Sequence, residues 1–167
     1  MRKRLIVISG ALFALAAAGL PQAGEPKDDG RSVSGLDAIA ARQAGMDMSV
    51  IVFRSMGDGI KAGSDAKNQA FAAAGLAKWA NAVPHLFPAG TGKGETSTAT
   101  QALPTIWQDR AGFDHAAAYY AETTARLVAL AAANDTAGFT KQLYIVNQAC
   151  GACHATYKQP VPPHHGN

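Results

Sequence analysis

The stretch Cys150-Gly151-Ala152-Cys153-His154 contains the residues of this chain that are best suited to chemistry. It has the form C-x-x-C-H, which is the attachment signal for c-type haem. The two thiols add across the two vinyl groups of haem, and the histidine that follows becomes an axial ligand of the iron. Cysteines three residues apart lie on one face of a helix, and the sequence contains only these two. The pattern therefore predicts one covalently bound haem c.

Three other uses of the cysteine pair fit the sequence less well. A redox-active C-x-x-C is expected beside a βαβ pattern, and the chain shows no strand pattern. A zinc site needs four ligands, so Cys150, Cys153 and His154 would have to recruit His164 or His165 near the C-terminus. A disulfide across two intervening residues within a helix has poor geometry. Haem attachment is the favoured interpretation, and these alternatives stay open.

The first 23 residues have the pattern of a secretory signal peptide. Three basic residues at positions 2–4 precede an apolar, alanine-rich stretch at positions 5–20, and small residues follow. Cleavage is expected after Ala18 or after Ala23, and retention as an uncleaved anchor is the alternative. Export agrees with covalent haem attachment, which in bacteria takes place outside the cytoplasmic membrane. We therefore expect the mature protein in the periplasm.

The basic character of the sequence comes from this leader. The chain has 15 Lys and Arg against 12 Asp and Glu, and residues 1–23 contain three basic residues and no acidic ones. The remainder is formally neutral and lacks the clustered positive charge that nucleic-acid binding requires. No second hydrophobic span follows the leader. We expect neither a nucleic-acid partner nor a membrane span in the mature chain.

The rest of the sequence predicts an all-α domain. Residues 24–34 are expected to form a flexible lead-in, residues 35–159 the domain, and residues 160–167 a disordered, proline-rich tail. Four helices are predicted, at about Gly35 to Lys61, Ser64 or Asp65 to Val83, Leu103 to Asn134, and Thr136 to Lys158. Turns that are short except for one, without any strand signal, indicate an antiparallel four-helix bundle, which holds cofactors between facing helices.

Apolar residues in these segments recur at alternating steps of three and four, as in packed helices. The expected buried residues are Leu36, Ile39, Met46, Val50, Phe53 and Ile60 in the first helix, with Gln43 as a polar member, and Phe71, Leu76 and Trp79 in the second. The fourth helix places both cysteines on its core-facing stripe. We interpret the long loop at residues 84–102 as a crossing of the bundle rather than as a cover for a haem edge.

These features together resemble the class II c-type cytochromes, the cytochrome c′ and cytochrome c-556 group. The resemblance covers about residues 36–158 and is strongest in the C-terminal motif Cys150-x-x-Cys153-His154-x-x-Tyr157. Three shorter segments are also similar to family elements: Arg42-x-x-x-Met46, Pro84-x-x-Phe87-Pro88-x-Gly90-Thr91 and Pro104-x-Ile106-Trp107. The resemblance implies a periplasmic four-helix-bundle cytochrome.

The resemblance also implies roles for individual residues. His154 would be the proximal ligand of the iron, and Arg42 would contact a haem propionate, a charge-assisted contact that suits a guanidinium group. Met46 would present its thioether to the distal side of the iron. At about 100° per residue, Met46 lies on the predicted seam, whereas Met48 and Met56 are rotated away from it.

The sixth iron ligand distinguishes the functions that the resemblance allows. Histidine and a thioether suit an electron carrier, so we expect an electron-transfer cytochrome of the c-556 type with unidentified redox partner proteins. The alternative is a five-coordinate cytochrome c′ that binds NO or CO. Lys158 weakens that alternative, because the family often has arginine at this position.

Catalysis is the least favoured function. A peroxidase, for example, needs acid–base groups on the distal side of the haem. His85 and His115 do not fall on the predicted distal stripe, and we expect them at the surface. The protein is therefore not expected to be an enzyme, and a homodimer stays open.

Overall fold

The computed structural model describes residues 34–160. Within that range the helices are α1 (Gly35–Lys61), α2 (Ala70–Ala82), α3 (Thr105–Gln108), α4 (Arg110–Ala132) and α5 (Thr136–Tyr157), and two 3₁₀ turns, Ala66–Gln69 and Val83–Leu86, flank α2. The four long helices form the predicted all-α bundle, and these residues contain no strand. The predicted signal peptide, nearly all of the lead-in and the tail after residue 160 lie outside the described residues.

Helix α1 begins and ends where the sequence pattern predicted. A capping box starts it: the Ser34 hydroxyl accepts a hydrogen bond from the Asp37 N–H, and the Asp37 carboxylate accepts one from the Ser34 N–H, each at 3.2 Å. The reciprocal bonds satisfy two backbone donors that the first turn of a helix leaves free.

The buried face of α1 is rotated relative to the predicted seam. Leu36, Gln43 and Val50 are exposed, and Arg42 and Met56 are buried instead. The prediction was wrong for these positions because a search for apolar periodicity passes over an arginine. Ile39 is buried as predicted, and Met46, Phe53 and Ile60 are half-buried.

The start of the second helical segment is capped from another part of the chain. Asp65, one of the two predicted starts of this segment, makes no side-chain capping bond. The N–H groups of Ala66 and Lys67 instead donate to Thr136 Oγ1 and Asn134 Oδ1, both at 3.0 Å. The turn between α4 and α5 therefore satisfies the donors that begin this segment.

The buried side chains of helix α2 differ from those that the sequence predicted. Phe71 is 93% exposed, so the prediction that it is buried was wrong. Leu76 is buried as predicted, and Trp79 is half-buried between the apolar clusters of the bundle.

The predicted third helix is divided in two. Asp109 interrupts it with φ −119° and ψ 59°, and its Oδ1 accepts a hydrogen bond from the Gly112 N–H at 3.1 Å to cap α4. The predicted steps of three and four hold in the last two long helices. Tyr120, Cys150 and Cys153 are half-buried, and the buried residues are Phe113, Ala117, Thr124, Leu127 and Ala131 of α4 and Phe139, Leu143, Val146 and Tyr157 of α5.

The segment between α2 and α3 packs against α1. The side-chain amide of Gln43 donates to the Ala99 carbonyl at 2.8 Å, and Arg42 bonds to three further residues of this segment, as described below. Thr100, Gln101 and Ala102 line a cavity of the bundle, which is described below. The loop therefore connects two helices and also forms part of the cavity wall, a role that the sequence interpretation disfavoured.

Candidate haem site

A cavity of about 460 Å³ lies between α1, α4 and α5, a size typical of cofactor sites. Cys150, Cys153 and His154 of α5 line it, and Arg42 and Met46 of α1 line it as well. Much of the remaining wall is apolar or aromatic, including Val83, Phe87, Ile106, Phe113, Ala117 and Tyr120. All five candidate site residues from the sequence thus border a single cavity.

The two cysteines are half-buried free thiols on the cavity side of α5. Burial raises the pKa of both thiols, and the neighbouring Cys150 contributes to a pKa of about 11 for Cys153. Both groups are therefore neutral near pH 7. Their i, i+3 spacing on a regular helix presents two sulfur atoms to the same space.

His154 follows the second cysteine and lines the same cavity, although the residue as a whole is exposed. Partial burial of its imidazole, and then the positive charge of Lys158, lower the pKa of His154. Both effects favour the neutral imidazole, which is the form that binds a metal.

The last turn of α5 is fastened to the chain around α3. Two bonds join backbone groups: the Leu103 N–H donates to the Tyr157 carbonyl at 3.0 Å, and the Gln159 N–H donates to the Gln101 carbonyl at 2.8 Å. Two more involve side chains: the Thr105 hydroxyl donates to the Thr156 carbonyl at 3.0 Å, and the Tyr157 hydroxyl donates to Asp109 Oδ2 at 2.9 Å. Four bonds therefore hold the turn that directly follows His154.

The three methionines of α1 have different surroundings. Met46 is half-buried and lines the cavity, and Met48 is 59% exposed. Met56 is fully buried in a core cluster whose fully buried members do not border the cavity. Of the three methionines, only Met46 borders the cavity that His154 also lines.

Arg42 is buried, and its guanidinium group joins α1 to the loop. Nη1 donates to the Leu86 carbonyl at 3.2 Å and to Thr91 Oγ1 at 2.8 Å, and Nη2 donates to the Thr91 carbonyl and to Thr100 Oγ1 at 2.8 Å. The group also lies 4.7 Å from the centroid of the Phe87 ring, a cation–π contact.

The charge of Arg42 has no negative partner among residues 34–160. Burial lowers the pKa of Arg42, and a buried cation is normally paired with an anion. Its protein partners are carbonyls, hydroxyls and a ring, all of them neutral. The cavity edge at Arg42 is therefore suited to an anionic group of a bound molecule.

Two polar groups near the cavity were not predicted as part of the site from the sequence. Tyr120 of α4 lines the cavity, and burial raises the pKa of its hydroxyl. Asp109 caps α4 and bonds to Tyr157. The pattern Asp-x-x-Gly at Asp109, repeated at Asp135, could have revealed both caps, but nothing local links Asp109 to Tyr157.

The other candidate groups lie elsewhere. His85 and His115 are exposed, as expected, and neither lines the cavity. Across residues 34–160, no group of three or more His, Cys, Asp or Glu side chains is placed to hold a metal ion; His164 and His165 lie beyond this range. No helix in the described part of the chain is long and apolar enough to cross a membrane.

The fold and the site together define a haem-binding four-helix bundle. Two thiols and an imidazole on one helix, a thioether on the facing helix and a buried guanidinium group without a carboxylate partner among residues 34–160 all border one cavity. The family model for cytochrome c′ matches residues 37–158. The chain belongs to this family of c-type cytochromes.

Individual relatives agree with this family. The chain is 35% identical over 96 residues to cytochrome c-554 of Cereibacter sphaeroides, a match that covers 57% of this chain and 61% of that protein. It is 35% identical over 79 residues to cytochrome c-556 of Agrobacterium tumefaciens, covering 47% and 60% of the two chains. The matched segments therefore span less than two thirds of these two relatives.

Solved structures of cytochrome c′ share the fold. The structure from Thermochromatium tepidum has 26% identity and a TM-score of 0.70, covering 76% of this chain and 98% of that one. The structure from Rubrivivax gelatinosus has 27% identity and a TM-score of 0.67, with coverage of 75% and 97%. A nitric oxide complex of a cytochrome c′ mutant from Alcaligenes xylosoxidans, at 24% identity and a TM-score of 0.68, has the same fold over 77% of this chain and 99% of that one.

Proposed function

We propose that this chain is an electron-transfer cytochrome with one covalently bound haem c, whose iron is held between His154 and Met46. The observation that carries the proposal is the position of Met46, which borders the same cavity as His154, whereas Met48 is exposed and Met56 is buried elsewhere. A histidine and a thioether give a low-spin, six-coordinate iron with a raised reduction potential. Such an iron passes electrons with little change in its ligands.

The chain's own residues would attach and orient the haem. Cys150 and Cys153 would form the two thioether bonds, and Arg42 would place its positive charge beside a propionate. The absence of a carboxylate partner for Arg42 in the described residues supports this role. When bound, the haem supplies the one-electron couple, and the apolar wall of the cavity excludes water from it.

Covalent attachment is tested by extraction. We expect acid–acetone to leave the haem on the polypeptide and the intact mass to exceed that of the bare chain by one haem. Free extraction, or the mass of the bare chain, would contradict the proposal. The variant Cys150→Ala with Cys153→Ala should not accumulate as folded protein, because the haem fills much of the core.

The sixth ligand is tested by comparing two methionines of the same helix. Met46→Leu should make the haem high-spin and open it to carbon monoxide or nitric oxide, whereas Met48→Leu should leave the absorption spectrum unchanged. Leucine preserves most of the side-chain volume, so the comparison isolates the sulfur atom. A wild-type protein that is already high-spin would contradict electron transfer through a His/Met haem.

A five-coordinate haem that binds NO or CO is the alternative function. Solved structures of the family include nitric oxide complexes of cytochrome c′, which favours this class of ligand. In that case Met46 would be an ordinary wall residue of the cavity. Optical spectra of the oxidised and reduced protein distinguish the two functions, because they report the coordination of the iron. In either case we infer a non-enzymatic role.

The localisation proposal concerns residues that precede the bundle. We infer that residues 1–23 direct export, that residues 24–34 lead into a domain spanning residues 35–159, and that the mature protein acts in the periplasm. N-terminal sequencing of the exported protein should show a start after Ala18 or Ala23. A soluble protein that begins at Met1 would contradict this proposal.

A homodimer is supported by apolar side chains on the outside of α1 and α2. Met48 and Ile51 of α1 and Phe71 of α2 are all more than half exposed, and exposed apolar side chains of this size can be covered by a partner subunit. Sedimentation velocity should show a dimer in the wild type and a shift towards monomer in Ile51→Asp. A wild-type monomer at high concentration would remove the dimer from the proposal.

A further inference from the structure

Asp109 is the residue outside the cavity that is best connected to the haem-binding helix. Its two carboxylate oxygens have separate partners: Oδ1 accepts from the Gly112 N–H at 3.1 Å, and Oδ2 accepts from the Tyr157 hydroxyl at 2.9 Å. One carboxylate thus joins the first turn of α4 to the last turn of α5. Tyr157 lies one helical turn after His154 and borders the cavity.

The space around this contact is closely packed. A Cβ on Gly112 would lie 2.6 Å from the Tyr157 hydroxyl oxygen and would collide with the Asp109 carboxylate. The Tyr157 ring packs edge-on against Phe113, with ring centroids 5.3 Å apart, and Phe113 packs in the same manner against Phe87 at 4.9 Å. Tyr157 is therefore held both at its hydroxyl and at its ring.

We propose that Asp109 is a positioning residue for the proximal ligand: through Tyr157 it fixes the last turn of α5 and thereby the orientation of the His154 imidazole. This inference rests on the proposed role of His154 as an iron ligand, but it does not depend on Met46. Asp109 itself does not line the cavity, so it acts on the haem only through Tyr157.

The chain contains a matched control for this role. Asp135 caps α5 as Asp109 caps α4, because its Oδ1 accepts from the Gly138 N–H at 2.8 Å. A Cβ on Gly138 would collide with the Asp135 carboxylate in the same way. Asp135 makes no bond to a tyrosine in the described structure. A substitution at Asp135 therefore measures the loss of a cap alone.

The experiment uses the iron–histidine stretching band of the ferrous holoprotein in a Met46→Leu background, which serves as the wild type in every comparison below. Leucine cannot bind iron, so the band can be recorded whether or not Met46 is a ligand. Tyr157→Phe keeps the aromatic packing and removes the hydroxyl, and Asp109→Asn keeps a capping oxygen. We expect both variants to shift or broaden the band and to shift the reduction potential in the same direction.

The double variant and the control separate positioning from stability. Asp109→Asn with Tyr157→Phe should shift the band no more than either single variant, because each single variant already removes the hydrogen bond from the Tyr157 hydroxyl to the Asp109 carboxylate. Asp135→Asn should leave the band at its wild-type position. Variants that lower the unfolding temperature while the band stays at its wild-type position and width would overturn the proposal, as would an equal shift in Asp135→Asn.

His154→Ala distinguishes this inference from the proposed function. If the iron–histidine band survives in His154→Ala, the assignment of His154 as a ligand fails, and the role of Asp109 fails with it. If the band is lost in His154→Ala but unmoved in Tyr157→Phe, only the role of Asp109 is overturned. Because Tyr157→Phe preserves the ring contacts with Phe113, this test remains available even if Asp109→Asn does not fold.

Discussion

The two walls of the cavity that carry the candidate iron ligands are held in different ways. On the α5 side, four hydrogen bonds from the chain around α3 fasten the turn that follows His154. On the α1 side, one buried guanidinium group, that of Arg42, supplies most of the bonds to the loop. Close packing of Gly45 against Trp79 then sets the approach of α1 to α2.

This difference indicates which single substitutions should destabilise the protein most. Several modest bonds can each be lost at a small cost in the free energy of unfolding, because the others continue to hold the turn. A single side chain that makes four bonds has no substitute when it is removed. We therefore expect single substitutions in the α1 wall, which carries Met46, to lower the free energy of unfolding more than single substitutions in the α5 wall.

The largest loss of stability is expected from Arg42→Lys. Lysine keeps the positive charge but cannot reach the four acceptors of the planar guanidinium group. Hydrogen bonds to charged groups contribute about 1.5–3 kcal/mol each, and they are not additive, so we expect the free energy of unfolding of the holoprotein to fall by roughly 3 kcal/mol. Urea unfolding measures this change.

The control is the same substitution on the surface. Arg126 is an exposed arginine of α4, and Arg126→Lys should change the free energy of unfolding by no more than about 0.5 kcal/mol. Equal, small losses in the two variants would show that the loop does not depend on Arg42. The proposed contrast between the two walls would then lose its strongest support.

The α5 wall was also the part of the site that the sequence predicted best. The chemistry of Cys150, Cys153 and His154 lies within five consecutive residues, so their spacing on one helix follows from the local pattern alone. The bounds of α1 and the break before α5 were predictable for the same reason: both depend on short-range capping and turn signals.

The α1 wall could be predicted only in part, because its packing depends on distant residues. Arg42 is buried through bonds to Thr91 and Thr100, about 50 residues further along the chain; apolar periodicity gives no sign of this. Similarly, Ala66 donates to Thr136 Oγ1, and no local rule predicts a cap across that separation. Phe71 has an apolar side chain without an apolar neighbour to cover it, since it is 93% exposed.

A smaller loss of stability is expected from Gly45→Ala. A Cβ at this position would lie 2.8 Å from Cε3 of Trp79 and closer still to two further carbons of the ring. Overpacking of this kind costs roughly 1–3 kcal/mol. Because Met46 is the next residue, a displacement of α1 should also increase the high-spin fraction of the haem. Thermal unfolding and the absorption spectrum measure the two consequences.

Gly57→Ala is the matched control on the same helix. A Cβ at Gly57 would have no heavy atom within 4 Å, and alanine favours a helix over glycine by up to about 1 kcal/mol. This variant should therefore be as stable as the wild type or slightly more stable, with an unchanged spectrum. A destabilised Gly57→Ala would indicate that the cost lies in the helix backbone and not in the contact with Trp79.

The smallest effect is expected on the α5 wall, from Thr105→Val. This variant removes one of the four bonds that hold the last turn of α5, the bond from the Thr105 hydroxyl to the Thr156 carbonyl. The carbonyl is left near the surface and can bond to water, so the loss should be about 0.5–1 kcal/mol. The three remaining bonds should keep His154 in place, and the haem spectrum should not change.

Thr140→Val, which removes a hydroxyl bond within α5 to the Thr136 carbonyl, controls for the substitution itself. If Thr105→Val instead alters the spectrum as strongly as Gly45→Ala does, the bonds at the end of α5 act as a cooperative set, and the two walls are equally sensitive.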